Sequence, residues 1–451
     1  MKKNDIVEGI VQEVHFPNKA ILEIDGEKVI VKGGVVGQKL QVRITKKRNG
    51  IFQGEMQEVI TKASYEQEAQ CPHFGPCGGC SYQNLPYEEQ LKMKEQQIRN
   101  LLAPFHIKDE QFLGIEASPQ EWEYRNKMEF SFGDEEKEGP LALGMRKRKS
   151  FYEVVTATHC QIVDEDFRII LQLVLNYFQG KEIPFFHKKS HEGVLRHLVV
   201  RKGIKTGEIM VNLVTSSQQE LLLDDLVQKI LQAPLKGILK GFLHTLNDSI
   251  ADVVKSDETR VIYGEEAFKE ELLGLTFEVS AFSFFQTNTL GAEKLYRMVR
   301  DFAGDTTGKT IFDLYCGTGT IAQVMAPVAK EVVGIEIVEE AVEVAKSNAK
   351  LNGLENCTFI AGDVLTKVDE LTQKPDIIIL DPPRDGIHPK AIHKIIDFGA
   401  PEIVYVSCKP TSLVRDLEVF LEAGYEIKKV KCMDMFPQTP HVECISQIVK
   451  K

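Results

Sequence analysis

Three strand ends in the C-terminal third carry side chains suited to chemistry. In Val404-Tyr405-Val406-Ser407-Cys408-Lys409-Pro410-Thr411 a cysteine follows a run of strand formers. That is where an open α/β sheet keeps its reactive groups. A lone cysteine is most often an inert buried thiol. Here Lys409 and a helix starting near Thr411 are expected to favour the thiolate, the nucleophilic form. In His441-Val442-Glu443-Cys444-Ile445 a carboxylate stands among apolar neighbours, and alone it reads as an exposed strand residue. Asp381-Pro382-Pro383-Arg384 sets a carboxylate and a guanidinium on a rigid turn.

These ends need a scaffold, and from about residue 305 the pattern alternates buried strands (309–313, 331–336, 377–380, 403–407) with amphipathic helices (339–352, 389–398). Such alternation predicts a doubly wound, parallel, Rossmann-like sheet with its ligand at the carboxyl ends of the strands. Behind the first strand comes Asp313-Leu314-Tyr315-Cys316-Gly317-Thr318-Gly319-Thr320, a glycine-rich turn that lets backbone approach a ligand at a helix N-terminus. Gly317, Gly319 and Ala322 satisfy a loose G-x-G-x-x-A pattern, and Glu336 ends the next strand, placed to hold ribose hydroxyls of either NAD or S-adenosylmethionine. The motif implies a nucleoside cofactor and leaves its identity open.

Upstream, short β-type segments at 6–14, 20–24, 28–31, 41–44 and 55–60 are separated by the turn signals Asp25-Gly26, Gly33-Gly34 and Asn49-Gly50. Five short strands in so few residues predict a small OB-like barrel. A helix is expected from Pro86, with Leu91, Ile98, Leu101 and Leu102 on one side. Residues 121–285 mix strands (128–132, 195–201) with helices (220–231), an α+β pattern without a strong motif. The division expected is 1–61 barrel, 62–285 central α+β domain and 286–451 Rossmann-like domain.

Three of the nine cysteines crowd into Cys71-x5-Cys77-x2-Cys80, which in a reducing compartment reads as metal ligation. Cys160, the first cysteine after Cys80, is the candidate fourth ligand. Zinc held by three thiolates plus His73 or His159 is the alternative.

The net charge of −11 argues against a protein that coats nucleic acid, because such binding uses many Lys and Arg contacts. Local basic runs remain at Lys46-Lys47-Arg48 and Arg146-Lys147-Arg148-Lys149. With no apolar h-region behind Met1 and no run of 18 apolar residues, a cytoplasmic protein without membrane contact is expected.

Taken together, Ser283-Phe284-Phe285-Gln286-Thr287-Asn288, the 313–319 turn, Asp381 to Arg384, Ser407-Cys408-Lys409-Pro410 and His441-Val442-Glu443-Cys444 resemble the RNA uracil-5-methyltransferase family over essentially the whole chain. The resemblance implies S-adenosylmethionine as methyl donor, held by positions matching Gln286, Tyr315, Thr320, Glu336, Asp363 and Asp381. It implies Cys408 as nucleophile and Glu443 as proton-abstracting base. The barrel looks like a TRAM domain, and Cys71, Cys77, Cys80 and Cys160 resemble a [4Fe-4S] ligand set. Barrel and cluster together are similar to the branch that acts on 23S ribosomal RNA, at one uridine or two, as a monomer on an unpaired or flipped-out base. The alternatives are methylation of the tRNA T-loop and a non-catalytic RNA-binding or chaperone module. Lys409 departs from the family, where many members carry Asn.

Overall fold

The computed structural model describes residues 1–451 except 252, 253, 255 and 372. Strands β1 (Ile6–His15), β2 (Lys19–Ile24), β3 (Glu27–Lys32), β4 (Lys39–Arg48) and β5 (Ile51–Thr61) close into a barrel in the order β1-β2-β3-β5-β4, as expected of an OB-like unit. Alternate residues such as Leu22, Val29, Val31, Leu40 and Val42 fill its interior, the period-2 pattern of a strand with one buried face. A linker with the three clustered cysteines leads to α1 (Tyr87–Leu102). Its inner face differs from the expected leucine stripe: Gln90, Lys94 and Gln97 are buried beside Ile98 and Leu102, whereas Leu91 and Leu101 are half-buried.

Next comes β6 (Phe112–Glu116), followed by β7 (Lys127–Asp134), β8 (Leu141–Arg146), β9 (Val154–Thr156), α2 (Glu165–Phe178), β10 (Leu195–Lys202), β11 (Glu208–Thr215), α3 (Asp224–Leu231), β12 (Ile238–Leu246) and β13 (Glu258–Gly264). The last seven strands form one sheet, ordered β13-β12-β11-β10-β7-β8-β9, with α2 and α3 packed into its core. Helix α3 starts four residues later than its apolar pattern suggested. Asp224 and Asp225 occupy its first turn, where the helix dipole favours carboxylates, and Leu222 before it points into solvent.

A hairpin of β14 (Ala267–Leu272) and β15 (Leu275–Ser280) precedes α4 (Thr289–Ala303), which Asn288 caps by accepting the Gly291 N–H at 2.9 Å. The rest runs β16 (Thr310–Leu314), α5 (Thr320–Met325), β17 (Glu331–Glu336), α6 (Glu339–Leu351), β18 (Cys357–Ala361), α7 (Val364–Lys367), β19 (Ile377–Leu380), α8 (Pro389–Asp397), β20 (Glu402–Ser407), α9 (Pro410–Glu422), β21 (Tyr425–Met433) and β22 (Glu443–Lys450). The sheet order is β18-β17-β16-β19-β20-β22-β21-β6. Its first five strands are parallel, and all but the edge strand β18 are largely buried on both faces. Ile377 and Ile379 enter one core and Ile378 and Leu380 the other, so a change such as Ile378→Ala costs about 2–5 kcal/mol.

The expected all-parallel sheet needs correction at one edge. No helix separates β21 from β22, so the two pair antiparallel, and β22 is also antiparallel to β20. The outermost strand, β6, comes from before the central sheet and lies parallel to β21. Among the described residues no helix is long and apolar enough to cross a membrane.

Candidate active site

The glycine-rich turn caps the carboxyl end of β16. Tyr315, Gly317 and Gly319 take φ of +69°, +53° and +71°. A Cβ on Gly319 would meet Phe359 at 2.5 Å, so glycine there serves both the left-handed backbone and close packing. Tyr315 and Cys316 donate their N–H groups to Ile335 O at 3.0 Å each. Glu336, at the end of β17, accepts Gly317 N–H and Val338 N–H, both at 3.0 Å. The Thr318 hydroxyl donates to Phe284 O at 3.1 Å and so ties the turn to the 283–288 loop that carries Gln286. Thr320 is the first residue of α5 and is buried, its hydroxyl 3.5 Å from that of Thr318. Asp363 is exposed and caps α7 through Leu365 N–H at 2.9 Å; its charge is one cause, after burial, of the raised Tyr315 phenol. Gln286, Tyr315, Thr320, Glu336 and Asp363 thus gather around the carboxyl ends of β16, β17 and β18.

The ends of β19 and β20 adjoin this group. Ser407 on β20 pairs in register with Cys444 on β22, so the next step of the ladder brings Cys408 beside Glu443. Glu443 is not the exposed strand residue its local sequence suggests: it is 4% exposed, and burial, reinforced by Asp381, pushes its carboxyl up to about 8 while Arg384 opposes. Asp381, just past the end of β19, keeps only part of its surface exposed, and enclosure of its carboxyl pushes it up to about 7. Cys408 also differs from expectation. Burial, then the Glu443 and Asp381 carboxylates, push its thiol up to about 11, with Arg384 pulling the other way. Lys409 lends no help, because its ammonium turns to Asp385 at 3.7 Å.

Tyr296 on α4 is a site residue that sequence reasoning missed. Its buried phenol hydrogen-bonds the Gln286 side chain and lies close enough to Asp381, Asp313 and Glu443 for their charges to raise it. In the sequence it is one more apolar position of an amphipathic helix, and no local signal marks it. Asp313 is fully buried beneath the turn and accepts Ala322 N–H at 2.9 Å.

Cys71, Cys77, Cys80 and Cys160 line one cavity with Phe74, Met128, Met145 and Ile162. Burial first, opposed by hydrogen bonds and reinforced by the neighbouring cysteines, pushes Cys80 up to about 12 and Cys160 up to about 11. The competing histidine ligand is engaged elsewhere: His73 Nε2 accepts the His159 N–H at 3.2 Å. Among the described residues, no three His, Cys, Asp or Glu side chains converge closely enough to hold a single metal ion. The cysteine loop also holds the 146–149 run. Gly78 N–H donates to Arg146 O at 2.9 Å and the Arg148 guanidinium to Cys80 O, while Lys147 pairs with Glu153 at 3.0 Å and Lys149 with Glu55 at 3.2 Å. That run braces the cysteine loop and the barrel through paired cations, although Arg148 and Lys149 stay exposed.

The profile of the tRNA (uracil-5-)-methyltransferase family matches residues 86–451. The chain belongs to this family. Within it, an uncharacterized RNA methyltransferase of Clostridium tetani is 51% identical across 100% of this chain and 99% of its own length. Another from Caldanaerobacter subterraneus is 52% identical across 100% of both chains. The fold matches that of a tRNA (uracil-54, C5)-methyltransferase of Pyrococcus abyssi, solved in complex with S-adenosyl-L-homocysteine, with a TM-score of 0.78 at 24% identity over 98% of this chain and 100% of that one. For an RNA methyltransferase of the uracil-5 family, a glycine-rich turn adjoining a cysteine, a buried glutamate and a partly buried aspartate is a coherent site.

Proposed function

We propose that the protein transfers the methyl group of S-adenosylmethionine to carbon 5 of a uridine, using Cys408 as nucleophile and Glu443 as base. The observation that carries this reading is the β20–β22 register, which brings the two side chains together beside Asp381. Carbon 5 of uracil is too weak a nucleophile to attack a methylsulfonium unaided. The Cys408 thiolate adds to carbon 6, and the electron pair of the double bond moves to carbon 5 and the adjacent carbonyl. Carbon 5 then takes the methyl group, and S-adenosylhomocysteine leaves. Glu443 removes the remaining carbon 5 proton, the double bond re-forms and the sulfur–carbon 6 bond breaks, returning the thiolate. A carboxyl raised to about 8 suits this task, since its ionised form is a stronger base than an exposed glutamate. Gln286, Tyr315, Thr320, Glu336, Asp363 and Asp381 form the donor's pocket, with Glu336 directed at the ribose. Asp381 also faces the uracil edge.

The experiment is Glu443→Gln. Addition and methyl transfer precede proton loss, so this variant should accumulate a methylated, covalent enzyme–RNA complex that survives denaturing electrophoresis. Normal turnover without a trapped complex would remove Glu443 from the mechanism.

For the substrate we favour 23S ribosomal RNA, at one uridine or two, because a TRAM-like barrel and a four-cysteine set occur together here. The tRNA T-loop is a second reading with an observation of its own: the Pyrococcus abyssi protein, named for tRNA, aligns over its whole length, barrel included. Mapping 5-methyluridine in ribosomal and transfer RNA from a deletion strain decides between them. We favour a [4Fe-4S] cluster over zinc because four cysteines line one cavity and such a cluster takes four thiolates. Bound there, the cluster would supply positive charge to four thiolates and tie the 71–80 loop to the central sheet.

A further inference from the structure

The inner face of α1 is hard to explain as packing. Gln90 and Lys94 are completely buried and Gln97 nearly so, where leucines would serve a helix–sheet interface better. Gln90 and Lys94 point at the same object, the connection 434–442 that ends at Glu443. Lys94 Nζ meets Asp434 Oδ1 at 2.7 Å, with both side chains fully enclosed, and reaches Phe436 O at 3.4 Å. Gln90 and Gln438 exchange two hydrogen bonds: Gln90 Nε2 donates to Gln438 Oε1 at 2.8 Å, and Gln438 N–H donates to Gln90 Oε1 at 3.0 Å. Gln438 O accepts from Ser81 N–H at 2.7 Å and Tyr82 N–H at 3.1 Å. Gln438 holds a left-handed φ of +69°, a conformation rare for a residue with a side chain and kept here by four hydrogen bonds. Asn288 adds a bond to Met435 O at 2.9 Å and Tyr124 one to Pro437 O at 3.0 Å. The backbone that delivers Glu443 is therefore gripped at nearly every residue from 434 to 438.

We propose that Gln90 and Lys94 are positioning residues for Glu443, fixing the 434–442 connection so that the carboxylate meets the carbon 5 proton. Their main effect falls on elimination rather than on donor binding or methyl transfer, because α1 bonds the 434–438 backbone directly through Gln90 and Lys94, whereas the donor-side 283–288 loop meets that connection only through Asn288. This rests on the reading of Glu443 as base.

The test is single-turnover kinetics with whichever unmodified transcript, 23S ribosomal RNA or tRNA, the native protein methylates, and with S-adenosylmethionine labelled in the methyl group. Gln90→Leu removes both bonds to Gln438 and a third to Leu85 O. Gln438→Gly removes the bond accepted by Gln438 Oε1 and keeps the backbone one, while suiting the positive φ, and decides alone if Gln90→Leu does not fold. Expected for both is breakdown of the covalent complex slowed at least about tenfold, with accumulation of labelled adduct, while the rate of methyl transfer and the KM for the donor stay within about twofold. Lys94→Arg should retain more elimination than Lys94→Met. Equal losses in methyl transfer and elimination, or no adduct, would overturn the proposal. Glu443→Gln run in parallel separates the two ideas. If it traps adduct and the α1 variants do not, only the positioning role falls; if it traps none, the base assignment falls and the positioning role with it.

Discussion

Glu336 and Gly317 are joined by a hydrogen bond of 3.0 Å from the Gly317 N–H to one carboxylate oxygen, while the other oxygen accepts from Val338 N–H. The carboxylate is thereby oriented before any ligand arrives. Charge-assisted hydrogen bonds contribute about 1.5–3 kcal/mol each. Glu336→Ala should therefore weaken S-adenosylmethionine binding by about tenfold to a hundredfold in calorimetric titration. An unchanged affinity would move the ribose elsewhere.

Cys408→Ala should leave that affinity within about twofold and abolish methylation, because the thiol serves the chemistry and not the adenosyl pocket. A radiometric methyl-transfer assay checks this, and more than a trace of turnover would require another nucleophile.

The raised Glu443 carboxyl sets a pH dependence. Only its ionised form accepts a proton, so with the group at about 8 the rate of adduct breakdown should climb roughly tenfold per pH unit below that value and level off above it. Preforming the adduct and quenching it between about pH 6 and about pH 9 gives the curve. A rate flat across this window would exclude Glu443 as the base.

Anaerobically purified protein should be brown and contain iron and acid-labile sulfide, and Cys77→Ser should lose both. Colourless, fully active protein with stoichiometric zinc would reverse the assignment.

At the β4–β5 hairpin Lys46 and Arg48 are exposed, while Lys47 lies over Phe52 at 4.3 Å; in the other run Lys147 and Lys149 are paired with glutamates. Lys46→Glu with Arg48→Glu should weaken RNA binding and flatten its salt dependence, by about 0.7–0.9 in log–log slope for each phosphate no longer neutralised. Identical slopes across a salt series would make the barrel a scaffold only.

The parallel core and the barrel were legible because both follow simple periods: Ile377 to Leu380 has four apolar residues that only a strand covered on both faces tolerates, and Asp25-Gly26 marks a hairpin by itself. The placement of Cys408 and Asp381 just past strand ends was legible because each follows an apolar strand run. What escaped were properties set by distant partners. Glu443 looks solvent-facing until β20 and β21 flank it, and Lys94 looks like a surface lysine until Asp434, 340 positions away, encloses it. The thiol of Cys408 was misjudged for the same reason: its neighbour in sequence is Lys409, but its neighbours in space are two carboxyls.

The edge strand β6 imposes an order of assembly. Residues 112–116 leave the ribosome long before β21, the partner they need, and the sheet carrying Cys408 and Glu443 stays unfinished until the last strands emerge. Closing so distant a pairing is slow, and meanwhile the nascent chain carries an unpaired strand able to recruit a neighbour. Synthesis of this enzyme should therefore be sensitive to chaperone supply late in translation, and a C-terminal fragment made alone should aggregate along the bare β21 edge.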